Sequence, residues 1–125
     1  MKLIWLVDQL AICRLLPGEA FPAWALRGHS FLSITSTVEE LSIVCPVADV
    51  PAEVYREQSW RAIKVQGPLD FSLTGILASL AQPLADHAIP IFAISTFDTD
   101  YILVREQDAV TAQSVLEQAG NIFVE

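Results

Sequence analysis

The sequence predicts an α+β fold of the ferredoxin-like kind (βαββαβ), in two tandem lobes with helices on one face of antiparallel sheets. Three observations carry this. The second half reads strand, helix, strand, strand, helix, strand; the first half follows that order loosely; and no flexible linker parts them. The expected lobes are residues 1–59, with a reduced first helix, and residues 60–125, a complete copy.

In the second half, "WRAIKVQGPL" opens with alternation. Ala62, Lys64 and Gln66 fall on one face and Ile63 and Val65 on the other, the pattern of a strand with one buried side. Gly67 and Pro68 break it. Leu73, Ile76, Leu77, Leu80 and Leu84 then share one stripe of a helix, with Asp70 or Ser72 placed to cap its start and Pro83 placed to kink or end it. "IFAISTFDTDYILV" gives two strands and a turn. A second helix spans about residues 108–119, with Ala109, Ala112, Val115, Leu116 and Ala119 inward and Gly120 as its stop, and "NIFVE" closes as a strand.

In the first half, "LIWLVDQLAICRLL" is strand material. "PGEAFPAWALRG", interrupted by Pro17, Gly18 and Pro22, has room for a helical turn or two. "HSFLSITST" and "ELSIVCP" form a hairpin around Val38, Glu39 and Glu40. "VADVPAEVYREQ" is expected to form a short helix after Pro51.

Composition narrows the function. The chain has 125 residues, 53% of them hydrophobic, and a net charge of −8 with only seven Lys and Arg in total. Those seven are scattered, which argues against nucleic acid as a partner, since phosphate backbones demand clustered cations. The longest uncharged run, residues 71–85, is interrupted by Ser, Thr, Gly, Gln and Pro and falls short of the about 20 apolar residues of a membrane span. The N-terminal apolar run ends at Asp8, too short for a signal peptide, so the expected location is cytoplasmic. Cys13 and Cys45 lie in apolar strand-like runs and read as buried, reduced thiols. His29 and His87 have no close Cys or His neighbour in sequence, so neither a metal nor another cofactor is expected. No nucleophile elbow, Walker loop or dinucleotide-binding glycine motif is present, and His29 and Ser30 would point to opposite faces of a strand. The chain is not expected to be an enzyme.

"GPLDFSLTGILASLAQPLADHAIPIFAISTFDTDYILV" resembles the ACT-domain proteins, above all a small bacterial group with tandem ACT modules. It is also similar to the ACT modules of CASTOR-type cytosolic arginine sensors and, more distantly, of aspartate kinases. The resemblance covers about residues 60–120, and continues more weakly through "AICRL" and "ELSIVCP". It implies a regulatory role: such domains bind small ligands, usually amino acids, between modules, and pair through their sheets. By that implication Gly67, Pro68, Leu69, Asp70, Phe71 and Ser72 form one wall of a ligand site. Thr96, Phe97, Asp98 and Thr99 face them.

Chemistry gives this independent sense. A helix start offers free N–H groups to a carboxylate, and Asp70 and Asp98 offer acceptors to an ammonium. An acidic site of this kind tilts toward a basic amino acid. Each residue also has an ordinary explanation: Asp, Ser and Thr are common turn and cap residues, and Phe71 and Phe97 serve equally as core or interface plugs. Two functions follow. One is an amino-acid-binding regulatory protein without catalysis, working as a homo-oligomer, a dimer by expectation. The other is a structural or interaction module that dimerises through its sheets and has lost the ligand.

Overall fold

The structure is a computed structural model that describes residues 1–27, 30–70 and 74–124. In chain order its strands are β1 (Lys2–Trp5), β2 (Leu10–Leu15), β3 (Ser33–Ser36), β4 (Leu41–Pro46) and β5 (Arg56–Val65). The helix α1 (Ile76–Asp86), the strands β6 (Phe92–Ser95) and β7 (Asp100–Arg105), the helix α2 (Ala109–Gln118) and the strand β8 (Ile122–Phe123) follow. The chain divides into two compact units. One is Met1–Val7 with Arg61–Glu125, the other Asp8–Trp60, so the division falls inside β5.

The first unit has the expected α+β, ferredoxin-like build. β6 pairs with β7, and β7 with β5. On the other side of β5 lies β1, antiparallel to it with Leu3 opposite Val65, and beyond β1 lies β8, parallel to it with Leu3 opposite Phe123. A ferredoxin-like sheet would seat its fourth strand directly beside its first. Here β1 takes that place, and β8 becomes a fifth strand outside it.

The alternation in β5 reads out as expected. Ile63 and Val65 join Leu3, Ile102 and Val104 on one sheet face, under Leu80 and Leu84 of α1 and Ala112, Val115 and Leu116 of α2. All of these are at most 5% exposed, and burying each large aliphatic side chain contributes roughly 1.5–3 kcal/mol.

Helix α1 departs from expectation at both ends. Asp70 does not cap it. Gly75 occupies the N-cap position in the left-handed region, at φ 77°, with no side-chain cap. Pro83 does not end it either; the helix runs on to Asp86. Of the expected stripe, Leu80 and Leu84 are buried, Ile76 is half-buried, Leu77 is 36% exposed, and Leu73 lies outside the described residues, as does Ser72, the other expected cap.

The second unit keeps the strand order and lacks α-helices among its described residues. Its sheet order is β3, β4, β2 and the first half of β5, which is again ferredoxin-like. A single 3-10 turn at Ala25–Arg27 stands after β2, and another at Val47–Asp49 after β4. The short helix expected after Pro51 does not form. The residue before that proline, Val50, is extended at φ −91° and ψ 122°, the conformation a following proline ring favours, and the helical turn ends before it. Arg56 then clamps this loop by donating to the carbonyls of Val50, Pro51 and Ala52. One face of the sheet carries Ala11, Cys13, Leu41, Ile43 and Cys45, packed under Ala25, Val50 and the half-buried Trp24, Val47 and Val54.

Candidate functional site

Beyond Val65 the chain leaves β5 through Gln66 and a cis Gly67-Pro68 bond, and meets the β6–β7 turn. The Leu69 N–H donates to the Asp98 carbonyl at 2.7 Å. The Thr99 hydroxyl, in a residue only 4% exposed, donates to the Val65 carbonyl at 2.5 Å. Gly67 fits between them because it has no side chain: a Cβ there would stand 2.9 Å from the Asp98 carbonyl oxygen and 3.3 Å from the Thr99 Cβ.

Within the turn, much of the hydrogen-bonding chemistry is used locally. The Thr96 N–H donates to the Thr99 carbonyl at 2.8 Å, and the Thr96 hydroxyl to the same oxygen at 3.1 Å. The Ser95 hydroxyl donates to the Asp100 carboxylate at 2.6 Å. What projects is Phe97, 79% exposed, and the exposed Asp98 carboxylate. The turn therefore divides its polar groups between holding itself and facing outward.

Two hollows flank the crossing. The first, about 300 Å³, is lined by Leu69, Asp70, Gly75, Ile76 and Leu77 on one side and residues 95–100 on the other. It brings three carboxylates, Asp70, Asp98 and Asp100, to the start of α1, and its described lining contains no basic side chain. The first-turn N–H groups of a helix have no partner within the helix, so the same hollow combines donors with anionic acceptors. The second, about 220 Å³, is lined by Lys64, Gly67, Pro68, Thr96, Asp98, Thr99 and Tyr101, and its character is mixed.

Every described residue of the sequence-derived site lines one hollow or the other: Gly67, Pro68, Leu69, Asp70, Thr96, Phe97, Asp98 and Thr99. Phe71 and Ser72 lie outside the described residues. Sequence reasoning missed Asp100, although it stands in the same "STFDTD" turn, and Lys64 and Tyr101. The strand alternation that put Lys64 opposite Ile63 and Val65 was the available signal for it.

Elsewhere, the Ser30 hydroxyl donates to the Asp8 carboxylate, while His29 lies outside the described residues. Among the described residues no group of three or more His, Cys, Asp and Glu is placed to hold a metal ion. No helix among them is long and apolar enough to cross a membrane.

Comparison with known proteins matches residues 55–118 to the ACT domain family model, and residues 8–53 to a model of an N-terminal domain. The cytosolic arginine sensor for mTORC1 subunit 1 of Bos taurus is 30% identical over a stretch covering 76% of this chain and 32% of the relative. The human protein of the same name matches with the same identity and coverage. The chain thus spans about a third of the length of these curated relatives. An X-ray structure of an Agobacterium tumefaciens protein, 43% identical, superposes with a TM-score of 0.93 and covers 98% of this chain and 91% of that one. The regulatory subunit of aspartate kinase from Thermus thermophilus, in its ligand-free form, shares the fold at 16% identity, with a TM-score of 0.63 over 90% of this chain and 93% of that one.

Proposed function

The chain belongs to the ACT-domain family, and on that premise we propose that it is a regulatory module that binds an amino acid and has no catalytic activity of its own. The observation that carries the reading is the hollow where Asp70, Asp98 and Asp100 meet the start of α1. An amino acid presents a carboxylate and an ammonium on one carbon. The carboxylate suits the oriented N–H groups of the helix start, and the ammonium suits an aspartate. Two further aspartates leave room for a second cation, which favours a basic side chain, arginine or lysine. That the curated relatives are named as arginine sensors supports the same class.

As a regulator the protein acts in the cytoplasm, as a homo-oligomer, a dimer in the simplest case. Its ligand shifts the balance between two assembly states by binding one of them more tightly. A second reading, an interaction module without a ligand, draws on the edge strand β8, where Ile122 is 60% exposed.

The test is a thermal-shift screen of the purified protein against the twenty amino acids, with nucleotides as controls. A ligand at about 100 times its Kd adds roughly 2.7 kcal/mol of stability, which such a screen detects. A shift from one amino acid that Asp98→Ala abolishes supports the sensor. Silence from all twenty at millimolar concentration favours the interaction module.

A further inference from the structure

Cys13 and Cys45 stand on neighbouring strands in one tightly defined place. The β2–β4 register sets Ala11 opposite Cys45 and Cys13 opposite Ile43. Residues two apart on a strand share a face, so the two cysteines are diagonal neighbours on the same side of the sheet. Both are 1% exposed, and both belong to the core of the second unit. Diagonal Cα atoms lie about 7–8 Å apart with their Cβ atoms closer, and a disulfide takes Cα separations up to about 6.8 Å, so a slide of about 1 Å between the strands suffices.

The cover over this pair is thin. In the first unit two helices of 11 and 10 residues lie on the sheet; here two 3-10 turns of three residues each take their place. The turn at Ala25–Arg27 is tied by backbone bonds from Ala25 to Pro22 and from Leu26 to Ala23; the other is tied more firmly, by bonds from Val50 to Val47 and from Val47 to Gln9 and by the Arg56 clamp on Val50. A three-residue turn tied by local bonds, as at Ala25–Arg27, opens locally at a small fraction of the global unfolding cost. A solute that cannot reach these thiols in the closed state reaches them when a turn lifts.

We propose that Cys13 and Cys45 form a reversible cross-strand disulfide, made by exchange with a low-molecular-weight disulfide oxidant. The Cys13 thiolate attacks one oxidant sulfur, forming a mixed disulfide and releasing one small thiol. The Cys45 thiolate then attacks the Cys13 sulfur, closing the bond and releasing the second. The two protein thiols are oxidised, the oxidant disulfide is reduced to two thiols, and the two protons lost by the cysteines are taken up by those products. The environment supports this order. A hydrogen bond from the Cys45 thiol holds Cys13 below the ordinary thiol range; burial opposes this and the Arg56 guanidinium assists it. Arg56 is the residue paired with Cys13 across β5. Cys45 is pushed well above that range, first by its hydrogen bond to Cys13 and then by burial, so Cys13 ionises first.

The experiment incubates the native protein in buffers of graded reduced-to-oxidised glutathione ratio, followed by acid quenching, alkylation, digestion without reductant and mass spectrometry. The expected result is a peptide joining Cys13 to Cys45 that increases with the oxidised fraction and disappears on adding dithiothreitol. In Cys45→Ala the reaction should stop at a glutathione adduct on Cys13. The proposal is overturned if the folded protein yields no joined peptide in fully oxidised buffer while the urea-unfolded chain does. It is equally overturned if wild type accumulates only glutathione adducts, or if the bond forms between two molecules, seen as a dimer on a non-reducing gel.

Discussion

Gly67 and Asp98 approach so closely that a single methyl group would not fit: a Cβ on Gly67 would stand 2.9 Å from the Asp98 carbonyl oxygen. That oxygen accepts the Leu69 N–H at 2.7 Å, so it cannot retreat without losing the bond that joins the loop after β5 to the β6–β7 turn. Gly67→Ala should therefore destabilise the protein by about 1–3 kcal/mol, the usual cost of overpacking, read as a lower urea midpoint with an unchanged m-value. An unaltered midpoint would mean that the turn moves freely relative to β5.

Thr99 ties the turn to β5 from inside. Its hydroxyl is buried and bonded to the Val65 carbonyl. Thr99→Val keeps the shape and deletes the donor, and should cost about 1–2 kcal/mol, while Thr99→Ser keeps the bond and should cost less than Thr99→Val. Equal losses from the two would show that the methyl group, and not the hydroxyl, holds the turn.

Asp70 and Asp98 are exposed, unlike Thr99, and their replacement tests the site rather than the fold. Asp98→Asn and Asp70→Asn should both fold, and Asp98→Asn should leave stability within about 0.5 kcal/mol of wild type. Each should weaken the amino acid found by the thermal-shift screen by about 10–100-fold in calorimetric titration, the worth of one charge-assisted hydrogen bond. A drop of several degrees in the melting temperature of the ligand-free Asp98→Asn protein would instead assign that carboxylate to the turn.

Trp5 and Arg61 offer a comparison of large and small effects in one place. The Trp5 ring stacks on Phe123 at 5.6 Å, its indole N–H donates to Gln113 at 2.8 Å, and the Arg61 guanidinium lies 5.3 Å from its centroid. The same guanidinium donates to the Leu6 carbonyl and reaches Glu106 at 3.4 Å. The ion pair is partly exposed and should contribute little, so Glu106→Gln is expected to cost under about 0.5 kcal/mol. Trp5→Ala should cost about 3 kcal/mol, because it removes the stack and leaves a gap between β1 and α2. Parallel denaturant titrations of the two variants give the ratio directly.

The contrast between what could and could not be read from the sequence follows the range of the interactions involved. Ile63 and Val65, Leu80 and Leu84, and the β3–β4 hairpin were legible because period and turn chemistry are local. The partner of Lys2–Trp5 was not: a strand at residue 3 set beside residue 123 is decided by packing across the whole chain. The start of α1 was misread for a different reason. Asp70 has the chemistry of a cap, but Gly75, in its left-handed conformation, sets the helix start five residues later. In the second unit the absence of α-helices among the described residues was half legible. Prolines at 17 and 22 announce the first reduction, whereas Pro51 acts on the residue before it, Val50, and leaves no mark on the helix-compatible run that follows. Around the two hollows, the "STFDTD" turn and the loop at Gly67 each supply lining residues. The hydroxyls are spent on holding the turn and its tie to β5, which only their distances reveal, as with Ser95 on Asp100 at 2.6 Å and Thr99 on Val65 at 2.5 Å.

Pro83 is the remaining anomaly, and its replacement should stabilise the protein. It sits inside α1, where it has no N–H for the Ser79 carbonyl and its ring crowds that oxygen. Alanine is favoured over proline in a helix interior by about 3 kcal/mol. Against this, the unfolded chain gains freedom when proline is removed, which takes back about 0.4–1 kcal/mol. A half-buried ring also loses some contact. The His87 ring nitrogen lies 2.9 Å from the carbonyl of residue 83, a backbone group that the substitution retains. The balance favours Pro83→Ala by about 1–2 kcal/mol, read as a higher urea midpoint together with stronger helical circular dichroism. A lower midpoint would mean that α1 is already bent to suit the ring and that the packing of Pro83 outweighs the backbone bond it forgoes.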